Sequence, residues 1–291
     1  VGGDFVKRLD TNAPAAISAP SWENHRGIFE SAGYQVLEYA YFDPKTRGVD
    51  FDGMVKSLES FPAKTLVILH ACCHNPTGAD LTAEQWKKII SICQTRQLIP
   101  FLDIAYQGFA SGIEQDGAAV RMFADSGMSF FVSSSFSKSF SLYGERVGAI
   151  SIVTQSKEES TRVLSQLKRV IRTNYSNPPT HGAAIVATVL NSPTLRQMWE
   201  DELAEMRERI KAMRHGLNQK LAASGVQQDF SFIEAQRGMF SYSGLTADQV
   251  AKLQEQDGIY ALSTGRICVA ALNTKNLDRV AQAIARVLVS K

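Results

Sequence analysis

The residues best suited to chemistry stand between Val132 and Gly148, in the stretch Val-Ser-Ser-Ser-Phe-Ser-Lys-Ser-Phe-Ser-Leu-Tyr-Gly-Glu-Arg-Val-Gly. Phe130, Phe131 and Val132 read as a buried strand, and hydroxyls follow at once. Among them are one lysine, Lys138, and one arginine, Arg146, eight positions apart, with no acid next to the lysine. A nearby positive charge disfavours the ammonium form and lowers the pKa, which suits a nucleophilic amine. Taken alone, a loop lysine is more often a solvated charge. Four other segments support the chemical reading. Asp103 ends the apolar strand that holds Phe101 and Leu102. Asn75 sits in His74-Asn75-Pro76-Thr77-Gly78, where proline and glycine punctuate a tight turn. Trp22 lies in Ser21-Trp22-Glu23-Asn24-His25, and Arg266 in Ser263-Thr264-Gly265-Arg266-Ile267.

These five segments together resemble the class I aminotransferases, the aspartate and aromatic amino acid group, which use pyridoxal 5′-phosphate (PLP). The resemblance runs through the whole chain. It implies a PLP-dependent aminotransferase with PLP fold type I. Ser135-Phe136-Ser137-Lys138 also fits the S-x-x-K pattern of penicillin-binding enzymes. The chain has neither S-D-N nor K-T-G, so that reading is set aside.

By the resemblance, Lys138 carries the cofactor as a Schiff base and is the catalytic base. Asp103 pairs with the pyridine nitrogen, and Tyr106, in Asp103-Ile104-Ala105-Tyr106, hydrogen-bonds the phenolate oxygen with Asn75. Ser135 and Arg146 hold the phosphate, for which a guanidinium fork is well shaped. Trp22 stacks on the ring, with His25 behind it, and Trp22 and Asn75 also face the substrate. Arg266 clamps the substrate α-carboxylate, and Phe240 lines the same pocket. Arg172 accepts the side-chain carboxylate of dicarboxylic substrates. In the family it comes from the partner subunit, so it implies a homodimer with shared sites. The bland alternatives are a turn carboxylate for Asp103, core packing for Trp22, and surface charges for Arg146 and Arg266. The resemblance also implies cis bonds before Pro20 and Pro76, which X-Pro linkages permit.

The implied reaction moves an amino group between aromatic amino acids or aspartate and 2-oxoglutarate. Residues 72–80, 98–103, 139–144 and 267–273 look nearer to the bacterial aromatic (tyrosine) branch than to strictly aspartate-specific members. The rivals are an aspartate-specific aminotransferase, a β-lyase on the same fold, and a non-catalytic, PLP-binding, aminotransferase-like sensor domain of a transcription regulator. Retention of Arg172 and Arg266 favours real substrates. The first residues read as the tail of a helix entered midway. Relative to the family, an N-terminal segment with a phosphate-binding loop and a tyrosine is missing, which implies a longer protein.

The elements that must position these residues alternate strand and helix. Strands are expected at residues 34–41, 66–70, 98–103, 129–133 and 147–153, and helices at 23–32 and 50–58. Asp50 is a helix cap, and Thr82 with Gln85 is a capping box opening another helix. Such alternation predicts an α/β fold, a mostly parallel sheet covered by helices, with functional groups gathered beyond the strand ends. Residues 192–222 read as one long helix, with Trp199, Leu203, Met206, Ile210, Met213, Leu217 and Leu221 on its core face. It joins a large PLP-binding domain, residues 1–205, to a smaller C-terminal α+β domain, residues 206–291. That domain is expected to have strands at 238–244, 259–262 and 267–270, and helices at 246–254 and 276–289.

A net charge of +2 is too small to argue for nucleic-acid or membrane-surface binding, and neither is expected. No apolar run approaches a membrane span. Cys72, Cys73, Cys93 and Cys268 do not make a disulfide framework. They read as small buried hydrophobes in a reducing compartment, the cytoplasm. Cys72-Cys73-His74 matches no common zinc spacing, so no metal is expected.

Overall fold

The computed structural model describes residues 1–289. Its main sheet has six strands, in the spatial order Val36–Ala40, Ala15–Ala19, Leu66–His70, Ile99–Ile104, Phe130–Ser135, Gly148–Val153. The first five run parallel, and Gly148–Val153 pairs antiparallel at the edge. Leu66 to Leu69 are at most 2% exposed, as expected of a parallel strand covered on both faces. Chain order reverses between Ala15–Ala19 and Leu66–His70, which makes a switch point where loops diverge beyond the strand ends. The loops that leave there carry Trp22 and Asn75.

Ala15–Ala19 carries no strand signal in its own sequence. Its Ala-Ala-Ile-Ser sequence is short of β-branched and aromatic residues. Its place between two strands buries Ala15 and Ala16 completely, so small side chains fit there. The local signals were sound elsewhere. The Asp50 carboxylate accepts from the Gly53 N–H at 3.0 Å, and Thr82 and Gln85 form a reciprocal capping box. The bonds before Pro20 and Pro76 are both cis.

The long helix runs Pro193–Ala223. Leu203, Ile210, Met213, Leu217 and Leu221 are buried along one face, while Trp199 and Met206 are partly buried. Near its start the Trp199 indole donates to the Ser139 carbonyl at 2.6 Å, and Arg207 donates to the Gly108 carbonyl. From Arg209 onward its bonds go to the C-terminal part, to the carbonyls of Leu272 and Ala270. There Phe240–Tyr242 pairs antiparallel with Arg266–Cys268, and Ala247–Asp257 and Leu277–Val289 are helices.

Three expectations fail in this part. Residues 259–262 are not a strand. The chain turns at once, with the Gly265 N–H bonded to the Leu262 carbonyl, and Tyr260 is 79% exposed with no ladder beside it. The strand expected at 267–270 ends at Cys268, because the N–H groups of Val269 and Ala270 both turn to the Met239 carbonyl and start a 3-10 turn. Cys268 is also exposed, unlike the buried Cys72, Cys73 and Cys93. None of the described helices is long and apolar enough to cross a membrane.

Leu203 is fully buried and packs on Gly108, where a Cβ would come within 2.4 Å of its Cδ2. The leucine therefore supports the loop that follows Asp103 and carries Tyr106. Leu203→Ala is expected to lower stability by about 2–5 kcal/mol in denaturant unfolding. A loss below about 1 kcal/mol would show that the loop does not depend on this contact.

Candidate active site

Asp103 sits near the end of Ile99–Ile104, in register with His70 on one neighbouring strand and Ser133 on the other. Its side chain keeps only 18% exposure. The His25 Nε2 lies 2.9 Å from its Oδ2, and His25 Nδ1 lies 3.0 Å from the Ser21 hydroxyl. Burial pushes the Asp103 carboxyl up. The His25 hydrogen bond and charge, with contributions from His70 and Lys138, outweigh burial and hold it below the usual carboxylate range. Trp22 stands edge-on to His25, with centroids 5.3 Å apart, and is 37% exposed. A cavity of about 350 Å³ opens on Trp22, His25, Asp103, Ser133 and Ser134. Lys138, Arg146 and Arg266 are not in its walls.

Lys138 lies in the turn beyond Phe130–Ser135, half-buried. Its Nζ stands 4.8 Å from the centre of the Tyr106 ring and 5.5 Å from that of Tyr143. Burial lowers its pKa, Arg146 lowers it further, and Asp103 opposes both. The loop is pinned from behind by the Trp199 bond to the Ser139 carbonyl and by Phe140 stacked on Trp199 at 4.4 Å. Ser135 ends the strand, and its hydroxyl accepts from the Ser137 N–H at 3.2 Å. Arg146 is exposed, has a positive φ of 55°, and donates to the Tyr143 carbonyl rather than pairing with Glu145.

Tyr106 links this cluster to the C-terminal part. Its ring meets Phe240 edge-on at 6.0 Å, and the Arg266 guanidinium lies 4.6 Å over the Phe240 ring. Arg266 also donates to Asn75 Oδ1 at 3.1 Å, across 191 residues of sequence. Burial, with Asp103 nearby, raises the Tyr106 pKa, so its hydroxyl stays a donor. The structure thus joins Trp22, His25 and Asp103 by direct contacts, and likewise Lys138, Tyr106, Phe240, Arg266 and Asn75. Arg172 belongs to neither set. It is exposed near the end of Lys157–Asn174 and donates to Ser176.

Several supports had no signal in the sequence. The Asp80 carboxylate accepts from the N–H groups of Cys73 and His74, at 2.7 and 2.8 Å, just before Asn75. Burial pushes its pKa up to about 6. Asp116 gathers the N–H groups of Gly108, Ala110, Ser111 and Gly112 and so shapes the loop after Tyr106. His70 and His74 lie 4.2 Å apart behind His25, and burial holds both well below the ordinary histidine pKa.

An amine of lowered pKa, an ionised buried carboxylate and an arginine aimed at an amide make a site for amine chemistry on an anionic substrate. A family profile described as aminotransferase class I and II matches residues 1–284. The aspartate aminotransferase of Pseudomonas aeruginosa is 63% identical over 288 residues, 99% of this chain and 72% of the relative. The aromatic-amino-acid aminotransferase of Escherichia coli is 50% identical over the same shares. A crystal structure of the aromatic-amino-acid aminotransferase from Burkholderia pseudomallei, covalently bound to pyridoxal phosphate, superposes with a TM-score of 0.98. That protein is 65% identical, and the match covers 99% of this chain and 72% of that one. The chain belongs to the class I and II aminotransferases and has their fold.

The charges around Lys138 can be tested without cofactor. Asp103→Asn should lower, and Arg146→Ala should raise, the pH at which half of Lys138 reacts with an amine-acylating reagent, read by peptide mass mapping. Shifts of the same sign in both variants would contradict the described electrostatics.

Proposed function

We propose that the chain is a transaminase that moves an amino group between aromatic amino acids or aspartate and 2-oxoglutarate, with PLP held at Lys138. The observation that carries this reading is the half-buried Lys138 amine, 4.8 Å from the centre of the Tyr106 ring, beside the Asp103 carboxylate that His25 holds at 2.9 Å. PLP, when bound, supplies an aldehyde that exchanges amines and a ring that takes up an electron pair.

The residues present fit that group. An ionised Asp103 suits a protonated pyridine nitrogen, and His25 keeps it so. Tyr106 and Asn75 offer donors to the phenolate oxygen. Ser135 and Arg146 offer a hydroxyl and a guanidinium to the phosphate, and Trp22 offers an indole face to the ring. Arg266 takes the substrate α-carboxylate, with Phe240 as wall. The lowered pKa of Lys138 makes the free amine more available, and its Nζ takes the proton from the substrate Cα.

Arg172 makes its contact on its own helix end rather than with these residues, which supports its service in the site of a second copy. Exposed apolar side chains support such a homodimer: Tyr143, Tyr175, Leu190, Leu195 and Met198. A division within the long helix, near the expected 205 and 206, is supported by the change of partners from Gly108 for Arg207 to Leu272 for Arg209, which falls two to three residues further on. Free thiols fit the cytoplasm.

Lys138→Ala is expected to lower turnover of aspartate or tyrosine with 2-oxoglutarate by at least about a hundredfold. A variant with near-normal turnover sinks the assignment. Arg172→Ala should cost at least about thirtyfold in kcat/KM for aspartate and much less for phenylalanine. Equal losses on the two substrates would remove its proposed role.

A further inference from the structure

Arg214 is the one buried cation that the proposed reaction leaves without a task among the described residues. It lies on the inner face of Pro193–Ala223 and is 3% exposed. No carboxylate pairs with it among the described residues. Its guanidinium donates instead to three carbonyls, those of Ile233 at 2.9 Å, Gly238 at 2.8 Å and Phe240 at 2.6 Å. Burial pushes its pKa down to about 10, so it stays charged at neutral pH. A buried charge whose hydrogen bonds all go to neutral acceptors is costly, even with the Asp80 carboxylate adding a favourable field. A neutral donor could tie a loop with less desolvation.

The segment those carbonyls belong to reaches the candidate site. The Arg237 N–H donates to the Gly78 carbonyl at 2.7 Å. Gly238, at φ 79°, packs so closely on Cys73 that a Cβ would come within 2.5 Å. A Cβ on Gly78 would come within 2.8 Å of the Phe240 carbonyl oxygen. Residues 237–240 are therefore pressed between Arg214 and the turn that carries Asn75. Phe240 then supports the Arg266 guanidinium, and Arg266 reaches Asn75.

We propose that Arg214 is a positioning residue for the carboxylate end of the site: it holds the backbone of Phe240 where Arg266 and Asn75 can meet a substrate carboxylate. The inference rests on the reading of Arg266 as the α-carboxylate ligand. Arg214→Lys keeps the charge and loses the fork, so it satisfies fewer of the carbonyls. The PLP-loaded variant is titrated with 3-phenylpropionate by calorimetry, alongside PLP affinity, Tm, and KM and kcat for aspartate. The Kd for 3-phenylpropionate and the KM should each rise about tenfold, with kcat within about twofold and PLP affinity unchanged. An unchanged Kd overturns the proposal, as does a parallel loss of PLP affinity, carboxylate affinity and Tm. Arg266→Ala is measured beside it. If that variant raises the Kd and Arg214→Lys does not, only the role of Arg214 falls. If Arg266→Ala leaves the Kd unchanged, the reading of Arg266 falls and this proposal with it. Should Arg214→Lys not fold, Arg214→Gln undergoes the same titration. Failure of both to fold overturns the proposal, since Arg214 would then hold the fold rather than the site.

Discussion

The site depends on keeping the Asp103 carboxylate charged in a place where burial favours its neutral form. His25 resolves that conflict with a 2.9 Å contact, itself anchored by Ser21. The consequence reaches Lys138. The Asp103 charge raises the lysine pKa, while burial and Arg146 lower it, and the lowering wins. An amine less basic than an ordinary lysine is the outcome of burial and a cation from its own loop, set against a carboxylate from the neighbouring strand. The parallel sheet makes that convergence possible. Its register sets Asp103 level with His70 and Ser133, and the loop after Ser133 and Ser134 delivers Lys138.

The second half of the site is built differently. Arg266 and Phe240 stand on a two-stranded antiparallel pair, too small to hold itself in place. The long helix supplies the support. Trp199 grips the Lys138 loop, Arg207 the loop after Tyr106, and Arg209 and Arg214 the C-terminal segments. One rigid element therefore touches both halves of the candidate site. Gly78 and Gly238 allow the halves to approach closely, since a side chain at either would collide with the opposite backbone or with Cys73.

Much of this was legible in the sequence because it depends on residue type at fixed spacing. The capping signals at Asp50 and Thr82, the apolar strand Leu66–His70 and the core face of the long helix all follow from local chemistry. The candidate site residues were legible as motifs, although nothing in a motif says which of them touch. The rest was hidden for two reasons. Tertiary context decided some elements: burial made a strand of the alanine-rich Ala15–Ala19, and a tight turn denied residues 259–262 a partner. Asp80, Asp116 and Arg214 act on backbone N–H and carbonyl groups, which every residue has, so their targets leave no mark in the sequence.

The most direct measurement is chemical. PLP is added to this chain, the mixture is reduced with borohydride, and the peptides are mapped by mass. The account predicts a stoichiometric adduct on Lys138, sharply weakened by Asp103→Asn. An adduct scattered over surface lysines, with Lys138 unmodified, would contradict the claim that these segments form a PLP site around that amine.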